Sequence, residues 1–110
     1  MTPVAVGIDI VYIPRFKTLA AGTLEHIFLP TEFKEAKPEH LAGLMAAKEA
    51  FFKALGRKDD WQAVWVEYTP SGKPELRSSL LNPDQQVEVS ISHDGDYAIA
   101  QVILYNYKNL

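Results

Sequence analysis

The chain has 110 residues, 47% of them hydrophobic by an inclusive count and 23% charged, with a net charge of -3. That is room for one small domain with little core to spare, and the acidic balance leaves no long basic patch for nucleic acid. The absence of cysteine removes disulfides, thiolate nucleophiles and cysteine-rich zinc sites together.

At the N-terminus "MTPVAVGIDIV" lacks a basic leader and is interrupted by Asp9, so it reads as neither signal peptide nor membrane span, and the expected compartment is the cytoplasm. Within it, residues 4–11 form a β-branched apolar run that predicts a buried strand. Pro14 opens a helix expected to run to about Ala20, with Gly22 as its stop. "LEHIF" adds a turn, and Pro30 starts a second short helical segment ending near Pro38. The long helix is expected from about Glu39 to Leu55, closed by Gly56.

Beyond the polar "RKDDWQ", residues 63–68 predict a strand and "TPSGKPEL" the turn after it, while "RSSLLNPDQ" is ambiguous between loop and helical turn. Residues 87–93 alternate cleanly, "DG" at 94–95 signals a hairpin, and "YAIAQVILY" returns as the last strand. One strand, several helices and then mostly antiparallel strands make a single α+β domain over 1–110, a long helix packed on a mostly antiparallel sheet.

Three features of this pattern carry charge where it is unexpected. With Leu41 at 0° on a helical wheel, Leu44, Met45, Phe51, Phe52 and Leu55 fall within roughly 80° either side and form the core face. Glu49 and Lys53 emerge beside Ala42 and Ala46, while Lys48 lies inside the apolar arc. A surface ion pair accounts for Glu49 and Lys53, and a snorkelling stem for Lys48, in the plainest reading. Asp9 is harder to place, because an unpaired carboxylate inside an apolar strand costs several kcal/mol on the order-of-magnitude scale. Either it caps or bonds backbone, or it shares a hard cation with a second carboxylate and substrate phosphates, the way magnesium is usually held. His93 at a strand end with Ser92, and "GKP" at 72–74, read as ordinary surface and turn or as the rim of a phosphate site.

Taken together, "VGIDIVYIPRF", "HIFLPTEF", "LAGLMAAKEAFFKALG", "GKPEL" and "VSISHDGDYAIAQVIL" resemble the holo-acyl-carrier-protein synthase family, the small 4'-phosphopantetheinyl transferases, in order and over nearly the whole chain. The resemblance implies transfer of phosphopantetheine from coenzyme A to a carrier-protein serine, releasing adenosine 3',5'-bisphosphate. It implies magnesium held by Asp9 and Glu49 against the diphosphate, with Lys53 beside the same phosphates and the small alanines leaving room for the ligand. Lys48, Gly72, Lys73, Pro74, Ser92 and His93 would line the coenzyme A site, and Arg15, Phe16 and Lys17 would meet the acyl carrier protein. A homotrimer with active sites between subunits is implied as well, with modest independent support from a last strand apolar on both faces.

Three departures stand out. Leu44 and Met45 occupy positions where the family commonly has an arginine and an aromatic residue, "RKDDWQ" replaces a longer glycine-rich loop, and the first helix offers only Arg15 and Lys17 as basic residues. These departures favour a second reading, a non-catalytic coenzyme A or carrier-protein binding module of the same fold. Retention of Asp9, Glu49 and Lys53 favours the enzyme. Glu49 or an ordered water are the two candidates for accepting the serine proton.

Overall fold

The computed structural model describes residues 1–107, so 108–110 of the expected 1–110 domain lie outside the described residues. Strand β1 (Thr2–Tyr12) leads through a 3₁₀ turn (Ile13–Lys17) to helices α1 (Ala21–Ile27), α2 (Pro30–Phe33) and α3 (Pro38–Leu55). A second 3₁₀ turn (Trp61–Ala63) precedes β2 (Val64–Tyr68), β3 (Pro74–Ser78), β4 (Gln85–Asp94) and β5 (Tyr97–Asn106). β1, β5 and β4 form one antiparallel sheet in that order, and β2 pairs with β3 in a separate hairpin.

α3 starts as its sequence dictates. Pro38 takes the first helical position, Glu39 lies near the positive end of the dipole and Lys53 near the negative end. It stops at Gly56, whose N–H still bonds the Phe52 carbonyl at 2.9 Å and whose φ of 85° turns the following N–H, that of Arg57, back to the same carbonyl at 3.2 Å. β4 and β5 are joined by Gly95 and Asp96, with positive φ confined to Gly95, the arrangement of a II′ hairpin loop.

The first helix differs from the expectation. Pro14 is the second residue of a 3₁₀ turn that ends at Lys17, and an α-helix begins only at Ala21, with Gly22 inside it rather than ending it. A three-residue repeat turns Ile13 and Phe16 to the same side, where both are buried, and the Ile13 N–H is tied to the Asp96 carbonyl at 2.7 Å. Part of the ambiguous segment is strand, because Arg77 and Ser78 pair with Trp65 and Val64.

α3 is buried on two faces. Leu41, Leu44, Phe51 and Phe52 form the large apolar face anticipated from the wheel and pack with Phe28, Trp61 and Val64 in the core. The small residues Gly43, Ala46, Ala47, Ala50 and Ala54 form the other, lying on the sheet over Ala98, Ala100 and Val102 of β5. The approach is close enough that a Cβ on Gly7 would lie 1.9 Å from the Ala50 carbonyl oxygen. The alanines thus make room for the sheet backbone, not for a ligand, which corrects the reading drawn from the sequence.

Candidate active site

Along β1, Gly7, Asp9 and Val11 face α3 while Val6, Ile8, Ile10 and Tyr12 face outward. The period of two that buries Val11 therefore brings Asp9 to the flank of the helix. Its Oδ1 receives a hydrogen bond from Lys53 Nζ at 3.1 Å, and the same ammonium donates to the Ile8 carbonyl at 2.9 Å. Glu49 stands one helical turn before Lys53, on the same side of α3. Glu49 is paired with Lys58 at 3.6 Å instead of forming the simple helix-surface pair with Lys53. Both carboxylates are largely shielded, at 18% and 19% side-chain exposure, and both have drawn in a cation.

Asp9 and Glu49 supply the hard oxygen donors that a divalent cation such as magnesium takes. Among the described residues no group of three or more His, Cys, Asp or Glu is placed to cage a metal ion. The donor set therefore fits a magnesium-like ion completed by substrate phosphate and water, and does not fit an all-protein metal cage.

Lys48 is not part of this flank. It is fully buried, and its Nζ donates to Glu32 Oε1 at 2.8 Å, to the Val64 carbonyl at 2.7 Å and to the Trp61 carbonyl at 3.2 Å, above the Phe28 ring. Its three donors are thereby used, which corrects the expected phosphate contact. Burial pulls its pKa below the ordinary lysine range, with Glu32 opposing that shift. Glu32 in turn accepts from the backbone N–H groups of Leu29 and Val66, so one carboxylate ties α2 and β2 to α3.

On the other flank, Gly72, Pro74 and His93 do come together. With His40, Gly43, Leu44, Tyr68 and Ile91 they line a cleft of about 250 Å³. His93 Nε2 lies 2.9 Å from the Glu39 carbonyl, and since a carbonyl only accepts, that nitrogen carries the proton. His40 packs on Tyr68 with ring centres 5.6 Å apart, and burial, followed by the charge of Glu32, holds the Tyr68 phenol above its usual range. A second groove shares His40 and His93 and is lined by charges of both signs, Lys34 and Lys37 beside Glu35 and Glu39.

Three expected residues lie elsewhere. Ser92 is on the outer face of β4, beside Ile8 and Ile99, because adjacent strand residues point to opposite faces and His93 points inward. Lys73 leans away from the cleft toward Glu88 at 3.7 Å. Phe16 belongs to the core, leaving Arg15 and Lys17 as the exposed residues of that turn.

Sequence reasoning missed Lys58, Lys34, Lys37, His40 and Tyr68. His40 had a signal, since it lies one turn before Leu44 on the wheel; Lys58 had none, being beyond the end of α3.

In register, Asp9 and His93 straddle β5, the first opposite Ala100 and the second opposite Ala98. At ordinary sheet spacings their Cα atoms are about 12 Å apart, with α3 between them. The carboxylates and the cleft are thus on opposite flanks of one helix.

Comparison with known proteins adds an independent observation. Residues 5–102 match the 4'-phosphopantetheinyl transferase superfamily. The chain is 37% identical to the holo-[acyl-carrier-protein] synthase of Ehrlichia canis, over 92% of this chain and 93% of that protein. It is 38% identical to the synthase of Pediococcus pentosaceus, over 90% and 93%. Among solved structures, the holo-(acyl-carrier-protein) synthase of Bacillus anthracis in complex with CoA (3',5'-ADP) superposes with a TM-score of 0.83 at 33% identity, over 94% of this chain and 97% of that one. The Helicobacter pylori synthase in complex with coenzyme A gives 0.82 at 31% identity, over 91% and 99%.

Proposed function

Because the chain belongs to the 4'-phosphopantetheinyl transferase superfamily and, within it, to the holo-[acyl-carrier-protein] synthases, we propose that it moves the phosphopantetheine arm of coenzyme A onto a serine of an acyl carrier protein. The observation that carries this reading is Asp9, an inward carboxylate on an apolar strand, held to the flank of α3 by Lys53, which lies one helical turn after Glu49.

In this reading the serine oxygen bonds to the phosphorus nearest the pantetheine, the diphosphate P–O bond breaks, and adenosine 3',5'-bisphosphate leaves as the serine proton passes to solvent. A magnesium ion, when bound, spreads the charge that develops on the diphosphate oxygens. Asp9 and Glu49 hold that ion. Lys53 neutralises phosphate oxygens beside it, and Lys58 adds positive charge on the same flank. On the far flank the aromatic and aliphatic walls of the His40, Tyr68 and Pro74 cleft suit a nucleotide, with His93 on its lining available to a phosphate. Arg15 and Lys17 are the local positive charge for an acidic carrier, in the cytoplasmic setting expected from the sequence.

One chain cannot easily offer both flanks to one ligand, because α3 stands between them. A homotrimer resolves this if the carboxylate flank of one subunit faces the cleft of its neighbour. The outer sheet face supports self-assembly: Val6, Ile8 and Ile10 are 59%, 55% and 60% exposed, with Tyr12, Tyr97 and Ile99 beside them.

The test is formation of adenosine 3',5'-bisphosphate with apo-acyl carrier protein, with and without magnesium. Asp9→Asn is expected to lower the rate by about a hundredfold or more, an effect of the size reported for losing a key charge-stabilising group. A wild-type chain that binds coenzyme A but releases no product would be the non-catalytic module instead. Light scattering gives the assembly: a mass near the 12.3 kDa of one chain, with activity intact, would sink the shared site.

A further inference from the structure

Lys53 stands where two demands conflict. Its ammonium neutralises Asp9 at 3.1 Å, yet Asp9 is also the carboxylate that the reading above gives to a divalent ion. A divalent cation on that carboxylate and an ammonium 3.1 Å from its Oδ1 repel each other, so each weakens the other's hold. Lys53 has a second hold, the Ile8 carbonyl at 2.9 Å, which comes from the residue next to Asp9 and needs only one of its three N–H groups. With 54% of its side chain exposed, it has room to swing about that hold. Lys58 differs in both respects, lying 3.6 Å from Glu49 beyond hydrogen-bond distance and resting over the Trp61 ring.

We propose that Lys53 is the resident counter-ion of Asp9 in the metal-free protein, and that a divalent ion displaces it, pivoting on the Ile8 carbonyl, into a position to meet the substrate diphosphate. The inference rests on the metal reading above and extends it. The largely shielded Asp9 carboxylate is then never left unpaired, and the positive charge that guarded it passes to the phosphate when metal arrives. Two consequences follow. Metal affinity without coenzyme A is held down by competition from Lys53. Metal and coenzyme A also bind cooperatively, each raising the affinity for the other by the same factor, and part of that factor belongs to Lys53.

The experiment is titration with Mn2+ as the spectroscopic probe, free ion being counted by electron paramagnetic resonance, with and without coenzyme A. Wild type, Lys53→Met and Lys58→Met are compared. Lys53→Gln, which keeps a hydrogen bond to Ile8 without the charge, guards against a folding artefact. Without coenzyme A, both Lys53 variants are expected to bind Mn2+ about tenfold more tightly than wild type, within the usual range of coupling factors, and Lys58→Met to change affinity much less. The coupling between Mn2+ and coenzyme A is expected to shrink in the Lys53 variants alone. Equal Mn2+ affinity in wild type and both Lys53 variants would overturn the displacement while leaving the metal site standing. An equal gain from Lys58→Met would overturn it too, by reducing the effect to bulk charge. No Mn2+ binding by any chain, with or without coenzyme A, would remove the metal reading and this inference with it.

Discussion

Lys48 and Lys53 stand five positions apart on α3, and the surroundings of the two ammonium groups could hardly differ more. Lys48 is sealed against Glu32 and two backbone carbonyls, with every donor used and no solvent access. Lys53 sits at the helix rim on two acceptors, with half its side chain in water. A buried, saturated cation fixes a geometry, here the seating of α2 and β2 against α3. A cation at the rim can change partners at small cost. The motif that joins them, Lys-Glu-Ala-Phe-Phe-Lys, thus contains a sealed charge and an accessible charge that composition cannot tell apart.

The most direct way to break this contrast is Lys48→Met. It leaves Glu32 buried without its cation, and removing one partner of a buried pair costs about 3–5 kcal/mol. Urea unfolding should register that loss as a lower midpoint with little change in slope. The double variant Lys48→Met with Glu32→Gln should recover part of it. Gly7→Ala is expected to come next, at roughly 1–3 kcal/mol, because its methyl group would collide with the Ala50 carbonyl and push the helix off the sheet. A thermal melt of that variant, alongside its transfer rate, would reveal whether the Asp9 flank loosens with the core.

Lys53→Met should cost clearly less than Lys48→Met by the same urea measurement, because half of the Lys53 side chain is in water and Asp9 keeps some solvent access, while transfer falls sharply. A stability loss equal to that of Lys48→Met would erase the contrast. The smallest effect concerns Tyr68, whose phenol is held above 10.0 by burial and then by Glu32. The folded chain keeps that proton longer than the unfolded one, so its contribution is full below pH 10.0 and is lost as pH climbs through the folded value. The stability difference between wild type and Tyr68→Phe should therefore shrink above pH 10.0, and a difference flat across that range would deny the shift.

Much of the architecture was legible because local rules and global packing agree. Gly56 ends α3 where a left-handed residue was expected, and the alternation of Val87, Val89 and Ile91 set the facing of β4. Disagreement came where one residue type has two uses. Alanine in α3 marks close packing on a sheet as readily as space for a ligand, and only the position of Gly7 tells which. Proline at 14 fits the start of a 3₁₀ turn as well as an α-helix, and the burial of Ile13 and Phe16 decided it. For the site, Asp9 was legible because an acid in an apolar strand demands a partner. Lys48 had the same oddity, yet its partner Glu32 lies 16 residues away with no periodicity linking them. Ser92 failed for the simplest reason, since strand alternation sends it away from His93.

The outer face of β1 carries a consequence for handling the protein. Aliphatic surface such as Val6, Ile8 and Ile10 associates through a force that is largely entropic near room temperature and weakens on cooling. If that face joins the subunits, chilling and dilution act in the same direction, both freeing single chains by mass action. Specific activity would then depend on storage temperature and working concentration, falling in cold dilute stocks and returning after warming and concentrating, with no change in the fold of each chain.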